Sequence, residues 1–165
     1  MTALFAAIIA VFAQLHIPLP SGVPLTLQTF AVALGGYLLS YSFGTLSVAI
    51  YISVGLVGVP VFSFFGAGPA VLFGNTGGFL WGFLLLAAAC GLADKQRKKS
   101  HKIIISLVGL LLCHTAGTVQ FAVIYGTDIF AAFLAASLPF LLKDAVFVTA
   151  AYFLSASVKK RISIV

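Results

Sequence analysis

Charged side chains are scarce in this sequence. Only 7% of the 165 residues are Asp, Glu, Lys or Arg, whereas 62% are hydrophobic. Soluble domains carry about 25% charged residues, so an ordinary soluble domain is excluded. The mean hydropathy of +1.20 predicts a single integral membrane domain over residues 1–165 instead.

Acidic residues are the scarcer of the two charged classes, since Asp94, Asp128 and Asp144 are the whole set. A hydrolytic carboxylate pair needs two acids within one span, and these three fall in different regions. Neither the GxxxxGK[ST] signature of a nucleotide-binding loop nor the HExxH signature of a zinc protease occurs. We therefore predict that the chain is not an enzyme, has no catalytic residues and needs no cofactor of its own.

Cysteine and histidine are also few. Cys90 and Cys113 both lie in apolar runs without a CxxC spacing, which predicts buried free thiols. The three histidines, His16, His101 and His114, are scattered over different regions. No metal site is predicted.

Basic residues are concentrated at the ends of apolar runs. Eight of the nine fall in two clusters, which are Lys95, Arg97, Lys98, Lys99 and Lys102, then Lys159, Lys160 and Arg161. Bases at the flanks of apolar runs are typical of the positive-inside pattern of membrane proteins. We therefore predict contact with a lipid bilayer and no nucleic-acid partner.

The apolar runs predict six transmembrane helices. A bilayer core of about 30 Å requires about 20 helical residues, and only helices or closed barrels satisfy their backbone groups in lipid. The predicted spans are residues 3–17, 25–40, 43–61, 76–93, 103–124 and 139–158. The segments that separate them are Pro18, Pro20 and Pro24; Ser40 to Ser42; Pro60; Gly66 to Pro69; the first basic cluster; and Gly126 to Asp128.

The two basic clusters also predict the orientation. Two spans separate them, so they share one side, which should be the cytoplasm, and both termini then lie there. The first apolar stretch lacks a basic region before it, so we expect a retained helix rather than a cleaved signal. The loops around 18–24, 62–75 and 125–138 then face outward, the last as a short apolar helix.

Polar residues gather at the predicted outer side. Lys143 and Asp144 stand side by side in a segment otherwise suited to lipid, where an ionisable residue costs about 2.5–3.5 kcal/mol. With aromatic neighbours, these groups predict a mostly apolar pocket with a few oriented polar groups. The polar groups are Thr26, Gln28 and Thr29; Asn75, Thr76, Gly77 and Gly78; and Lys143 and Asp144. The aromatic neighbours are Phe62, Phe64, Phe65, Phe73, Phe79 and Trp81.

Each of these groups has a simpler interpretation. Asn75 or Thr76 can be only a helix cap, and the glycines can be packing contacts. Lys143 can extend to the outer headgroups with Asp144 as its surface partner. For this pair we favour function, because an Asp side chain is too short to reach the headgroups.

Alanines recur at helical spacing in the first span. Ala3 and Ala7 are four residues apart, as are Ala6 and Ala10, so each pair forms a small face that a helix can approach closely. The spacing alone favours packing within the chain.

Several motifs together resemble a known family. The stretch ALFAAIIAVFAQLHIPLPSGVPLTLQTFAV, then GLVGVPVF, FGNTGGFLWGF and PFLLKDAV, is similar to the biotin-specific substrate-binding subunit of energy-coupling factor transporters, the BioY family. The resemblance implies a six-helix subunit of the plasma membrane that captures biotin from outside. It also implies two kinds of partner, a transmembrane coupling subunit and two cytoplasmic ATPase subunits that energise uptake.

The resemblance extends to individual positions. It implies a binding role for Asp144 and for Thr76, Gly77 and Gly78, and it implies that the alanine face of the first helix contacts the coupling subunit. Two positions depart from the family pattern. Asn75 stands where members commonly have Pro, and Phe147 stands where many have Lys.

The chemistry of biotin suits the predicted pocket. Asp144 can accept a ureido N–H, and the Asn75 amide can pair with the other ureido atoms. Trp81 and Phe73 are expected to cover the bicyclic ring, and Lys143 to offset the ligand carboxylate. Gln28 and Thr29 complete the predicted site.

Two other functions remain open from the sequence. One is a binding subunit for another small vitamin, with the same architecture and a different pocket. The other is a non-transporting helical scaffold, whose polar outer groups are caps and which binds no ligand.

Overall fold

The computed structural model describes residues 1–19 and 22–162, and most of these are helical. The elements are α1 (Thr2–Gln14), β1 (His16–Ile17), β2 (Leu25–Thr26), α2 (Gln28–Leu56), a 3-10 turn (Ser63–Phe65), α3 (Pro69–Leu72), α4 (Gly77–Asp94), α5 (Lys99–Tyr125), α6 (Ile129–Ala136) and α7 (Leu138–Ile162). The predicted helical class is confirmed. Pro20, one of the predicted breakers, lies outside the described residues.

Helix α2 is folded back on itself at Ser40. This residue has φ 70° and ψ 175°, far from helical values. The side chains of Gln28 and Tyr51 meet at 2.8 Å, although 23 helical steps would separate them by about 34 Å in a straight helix. The arms 28–39 and 41–56 are therefore antiparallel, and the chain break predicted at Ser40 is confirmed.

Glycine allows the arms of α2 to pack tightly on each other and on α4. A Cβ added at Gly44 would lie 2.7 Å from Cα of Gly36, and one added at Gly36 would lie 2.6 Å from the carbonyl oxygen of Ala87. Backbones that approach this closely gain packing contacts that lipid cannot supply. The α2 arms and α4 form the centre of the core, with Tyr37 and Leu86 fully buried.

Among the described residues, four helices are long and apolar enough to cross a membrane. They are Gln28–Leu56, Gly77–Asp94, Lys99–Tyr125 and Leu138–Arg161. Helix α1 is apolar but shorter. Since α2 is folded at Ser40, its 29 residues do not make one straight crossing.

The two basic clusters meet at one end of the bundle. Nζ of Lys159 lies 2.6 Å from Oδ2 of Asp94, and Nζ of Lys102 donates to the Asp94 carbonyl oxygen at 2.8 Å. The end of α4, the start of α5 and the end of α7 are thus neighbours, as predicted from the charge pattern. At the opposite end, Nζ of Lys143 donates to the carbonyl oxygen of Thr26 at 2.7 Å.

The segment after α1 corrects the first predicted span. We expected helix up to residue 17, but α1 ends at Gln14 and residues His16–Ile17 pair with Leu25–Thr26 in a short antiparallel ribbon. The residue before a proline avoids helical backbone angles, so Ile17 is extended ahead of Pro18. The segment after Asp128 is α6, a short apolar helix, as predicted. The Asp128 side chain caps the first turn of this helix.

Candidate functional site

A cavity of about 400 Å³ lies at the end of the bundle opposite the basic clusters. This volume falls within the range of small-molecule sites, which are mostly apolar with a few oriented polar groups. The cavity is lined by Gly22, Val23, Pro24, Thr26, Gln28, Thr29, Phe62, Ser63, Phe64, Gly66, Ala70, Val71, Asn75, Thr76, Phe79, Leu80, Phe83, Leu110, Cys113, His114, Phe140, Lys143 and Asp144.

The cavity has a closed end and an open end. The residues at the closed end are buried, with Leu110 and Cys113 each 2% exposed. Gly22, Phe64 and Ala70 are exposed and lie at the open end. A ligand that enters therefore passes these residues before it reaches Asp144.

Asp144 is the acidic group of the cavity and is 5% exposed. Its Oδ2 lies 3.3 Å from Nε2 of His114, and its Oδ1 lies 2.7 Å from Nζ of Lys143. The lysine contact is an ion pair, and Oδ1 has no hydrogen-bond partner among residues 1–19 and 22–162, so this oxygen keeps an unused acceptor site. A buried carboxylate needs contacts such as those with His114 and Lys143, since burial removes its hydration.

Lys143 faces inward rather than toward headgroups. Its ammonium contacts Asp144, donates to the Thr26 carbonyl oxygen, and lies 5.9 Å and 5.2 Å from the ring centroids of Phe140 and Phe147. Aromatic faces attract a cation at such distances. The alternative in which Lys143 extends to the lipid surface is therefore wrong.

Gln28 and Thr29 are buried on the cavity wall at the start of α2. The amide of Gln28 donates to the Tyr51 hydroxyl at 2.8 Å, and its oxygen accepts from the Ser63 hydroxyl at 3.2 Å. The Gln28 side chain therefore fixes the second arm of α2 and the 3-10 turn around the cavity.

The turn from Phe62 to Gly66 is held by Gln14. The Gln14 amide donates to the carbonyl oxygens of Val61 and Phe62 at 3.3 and 2.9 Å, and its oxygen accepts from the Phe65 N–H at 3.2 Å. Phe64 and Phe65 have φ of 59° and 55°, and left-handed angles cost about 1–2 kcal/mol per residue without glycine. The contacts of Gln14 stabilise this strained turn, which carries Phe64 to the cavity.

Asn75 lies at the open end and does not cap α4. Its amide nitrogen donates to the Gly22 carbonyl oxygen and to the Tyr125 hydroxyl, each at 3.3 Å. The capping position belongs to Thr76, whose side chain makes no capping bond. The cap alternative is therefore wrong, and both residues line the cavity instead.

Four residues expected at the site do not line this cavity. Helix α4 presents Phe79, Leu80 and Phe83 to it, after Thr76 at its N-cap. This spacing leaves Trp81 on another face, where it is 39% exposed. Phe73 is 66% exposed. Gly77 and Gly78 are buried where an added Cβ would collide with backbone carbonyls of Leu72 and Ala116, so the two glycines serve helix packing.

Helix α5 supplies cavity residues that the sequence analysis missed. His114 is the most notable, because it is 5% exposed and contacts Asp144. Its position in an apolar span was a usable signal, since ionisable residues inside a membrane segment are rare. Leu110 and Cys113 of α5, and Phe140 of α7, were missed because apolar lining residues look like ordinary core residues.

The alanine pairs of α1 face different ways. Ala6 is buried and Ala10 is half-buried against the core, whereas Ala3 and Ala7 are exposed. One pair therefore packs within the chain, and the other faces the surroundings.

The sequence and the fold were compared with known proteins. The model of the BioY family matches residues 1–164. The chain is 38% identical over 158 residues to the biotin transporter BioY of Thermotoga maritima, covering 95% of this chain and 92% of that protein. It is 36% identical over 146 residues to the probable biotin transporter BioY of Pyrococcus horikoshii, covering 88% of this chain and 86% of that protein.

The fold also matches a solved structure. The crystal structure at 2.1 Å of the S-component for biotin from an ECF-type ABC transporter superposes with a TM-score of 0.86. The match covers 96% of this chain and 88% of that one at 23% identity, so it establishes the shared fold.

Proposed function

Because the chain belongs to the BioY family, we propose that it is the membrane subunit that captures biotin for uptake. The cavity around Asp144 is the observation that carries this proposal. It joins a buried carboxylate, amide side chains and aromatic walls in one space of about 400 Å³. These are the groups that a ureido ring and an apolar thioether ring require.

We assign the closed end to the ureido ring. Oδ1 of Asp144 has an unused acceptor site there, and a charge-assisted bond from a ureido N–H is worth about 1.5–3 kcal/mol. Phe79, Phe83 and Phe140 flank the same end. They replace Trp81 and Phe73 as the aromatic contacts of the bicyclic ring.

The valerate carboxylate then lies at the open end. An anion left unpaired in low dielectric is strongly unfavourable, so it favours the hydrated mouth. The ammonium of Lys143 already contacts Asp144 and the Thr26 carbonyl oxygen. We therefore assign Lys143 to balancing Asp144, and the Asn75 side of the mouth to the ligand carboxylate.

The partners and the topology belong to the same proposal. Each arm of α2 crosses the membrane once, and α1, α4, α5 and α7 bring the total to six crossings. Both termini face the cytoplasm, as does the basic end of the bundle. The membrane is the plasma membrane. Uptake is energised by a coupling subunit and two ATPase subunits, and the exposed Ala3 and Ala7 face of α1 meets the coupling subunit.

The experiment that tests the proposal is mass spectrometry of the small molecule that copurifies with the protein in detergent. We expect biotin near one molecule per chain, and saturable binding of radiolabelled biotin that excess unlabelled biotin displaces. Displacement by riboflavin, thiamine or niacin would assign the cavity to another vitamin. The absence of any saturable ligand would contradict transport and favour a scaffold.

A further inference from the structure

His114 lines both the ligand cavity and a second cavity of about 450 Å³. The second cavity is an open groove between α5, α6 and α7, since its wall residues Leu111, Ile129 and Phe130 are exposed. The ring of His114 contacts Phe79 and Asp144 on the side of the ligand cavity. The other walls of the second cavity include Leu111, Thr118, Ile129, Phe130, Phe133 and Leu141.

The His114 ring is fixed in place from several sides. The Phe79 ring of α4 meets it edge-on with the ring centroids 5.7 Å apart, and Asp144 of α7 contacts its Nε2. The backbone oxygen of His114 accepts from the Ser137 hydroxyl at 3.4 Å, next to α6. A ring held this way is a wall rather than a mobile side chain.

The polar contact with Asp144 uses only one of the two nitrogens of the His114 ring. Its Nδ1 is buried and has no hydrogen-bond partner among residues 1–19 and 22–162. An unpaired buried nitrogen is unfavourable. Because His114 lines both spaces, the volume of its ring is a second property to consider, apart from the contact of Nε2 with Asp144.

We propose that His114 is a specificity-determining partition that limits the size of the ligand at the Asp144 end of the cavity. This inference rests on the proposed function, because it takes biotin with its ureido ring at the closed end. A group attached to a ureido nitrogen then meets the His114 ring. Without the ring, the same group enters the second cavity, whose walls are mainly apolar.

A series of biotins N-alkylated on each ureido nitrogen in turn, from methyl to butyl, tests the partition. Every member of one series lacks the same N–H. The dependence of affinity on alkyl chain length therefore reports only the space available around that nitrogen. In the wild-type protein, affinity should fall about tenfold or more from methyl to butyl, the effect of overpacking a filled site. In the His114→Ala variant, the affinity should fall by less than about threefold from methyl to butyl in at least one of the two series.

His114→Phe is the matched control, since it keeps a ring of similar size and removes the contact with Asp144. We expect it to bind biotin and to reject the longer chains as the wild type does. His114→Val, which removes most of the ring and keeps a branched side chain, replaces the alanine variant if thermal unfolding shows that variant to be unstable.

Two results would overturn the partition. One is an unchanged length dependence in the alanine or valine variant. The other is loss of biotin binding in the phenylalanine variant, because the contact with Asp144 would then matter more than the ring. Both differ from a failure of the proposed function, in which the wild-type protein itself does not bind biotin.

Discussion

Nζ of Lys143 lies 2.7 Å from Oδ1 of Asp144, although the two side chains leave successive positions of one helix. Neighbouring residues point about 100° apart on a helix, so the contact exists because the long lysine stem bends back across the turn. A site that contains the Lys143 ammonium and the Asp144 carboxylate has no net charge when His114 is neutral. It can thus hold a neutral ureido ring without an excess charge.

Removing the Asp144 charge should weaken biotin binding strongly. Asp144→Asn replaces a charge-assisted acceptor and leaves Lys143 without its counter-ion, so we expect a loss of about 10- to 100-fold in affinity. Equilibrium binding of radiolabelled biotin measures it. Asp94→Asn makes the same chemical change at the opposite end and should bind within about twofold of the wild type. Equal losses in both variants would contradict the assignment.

The ligand carboxylate should contribute little through Lys143. If it lies in the hydrated mouth, biotin methyl ester should compete for the site within about fivefold of biotin. Competition against radiolabelled biotin gives the ratio of affinities for wild type and for Lys143→Met. A penalty for the ester above about tenfold, which disappears in the methionine variant, would instead place the carboxylate on Lys143.

Trp81 should be dispensable for binding. It is the single tryptophan of the sequence and does not line the cavity, so Trp81→Leu should change biotin affinity by less than about twofold. Phe79→Leu is the matched variant, two positions earlier and on the cavity wall. It should lose about three- to tenfold, because it removes an aromatic contact worth about 0.5–1.5 kcal/mol. A larger loss for Trp81→Leu would restore the original expectation.

Gln14 should stabilise the strained turn that carries Phe64. Gln14→Met keeps the length of the side chain and removes three hydrogen bonds, each worth about 0.5–1.5 kcal/mol. We expect a lower unfolding temperature and faster release of bound biotin, measured by thermal denaturation and by chase with unlabelled ligand. Gln96→Met, at the basic end, provides the control. Unchanged release in Gln14→Met would show that the turn holds its shape without this side chain.

The close approach of α2 to α4 at Gly36 predicts a position-specific effect of a single methyl group. Gly36→Ala places a Cβ 2.6 Å from a backbone oxygen, which has no room to move, so we expect a loss of about 1–3 kcal/mol in stability. Gly35→Ala meets only the Phe5 side chain, at 3.0 Å, and should be tolerated better. Thermal unfolding of the two purified variants compares them. A similar unfolding temperature for both would argue against the tight packing of α2 on α4.

The sequence predicted best those features that depend on chain-wide patterns. Apolar runs and breakers predicted the helical class and the break at Ser40, and the two basic clusters predicted that the chain segments carrying them share one side. Lys143 and Asp144 were found because charge is rare in lipid. Such signals are readable from one chain, since they arise from burial and solvation rather than from a particular packing arrangement.

The details of the site could not be predicted in the same way. Trp81 and Phe79 are only two residues apart, yet only Phe79 lines the cavity, because the helix rotation that decides this depends on tertiary packing. The glycines after Asn75 look like a ligand loop in sequence, but Gly78 is needed where α4 meets α5. Gln14 escaped notice because hydrogen bonds between residues 47 to 51 positions apart leave no local pattern.

The fold at Ser40 has a consequence for the surrounding lipid. The first arm of α2 has 12 residues and rises about 18 Å, well short of a hydrocarbon core of about 30 Å. We therefore expect the Ser40 turn, with the exposed Tyr41 and Phe43 beside it, to end below the average headgroup level. Hydrophobic mismatch of this kind is relieved by local thinning of the bilayer. We therefore expect membrane thickness to act on the hairpin that borders the Asp144 cavity.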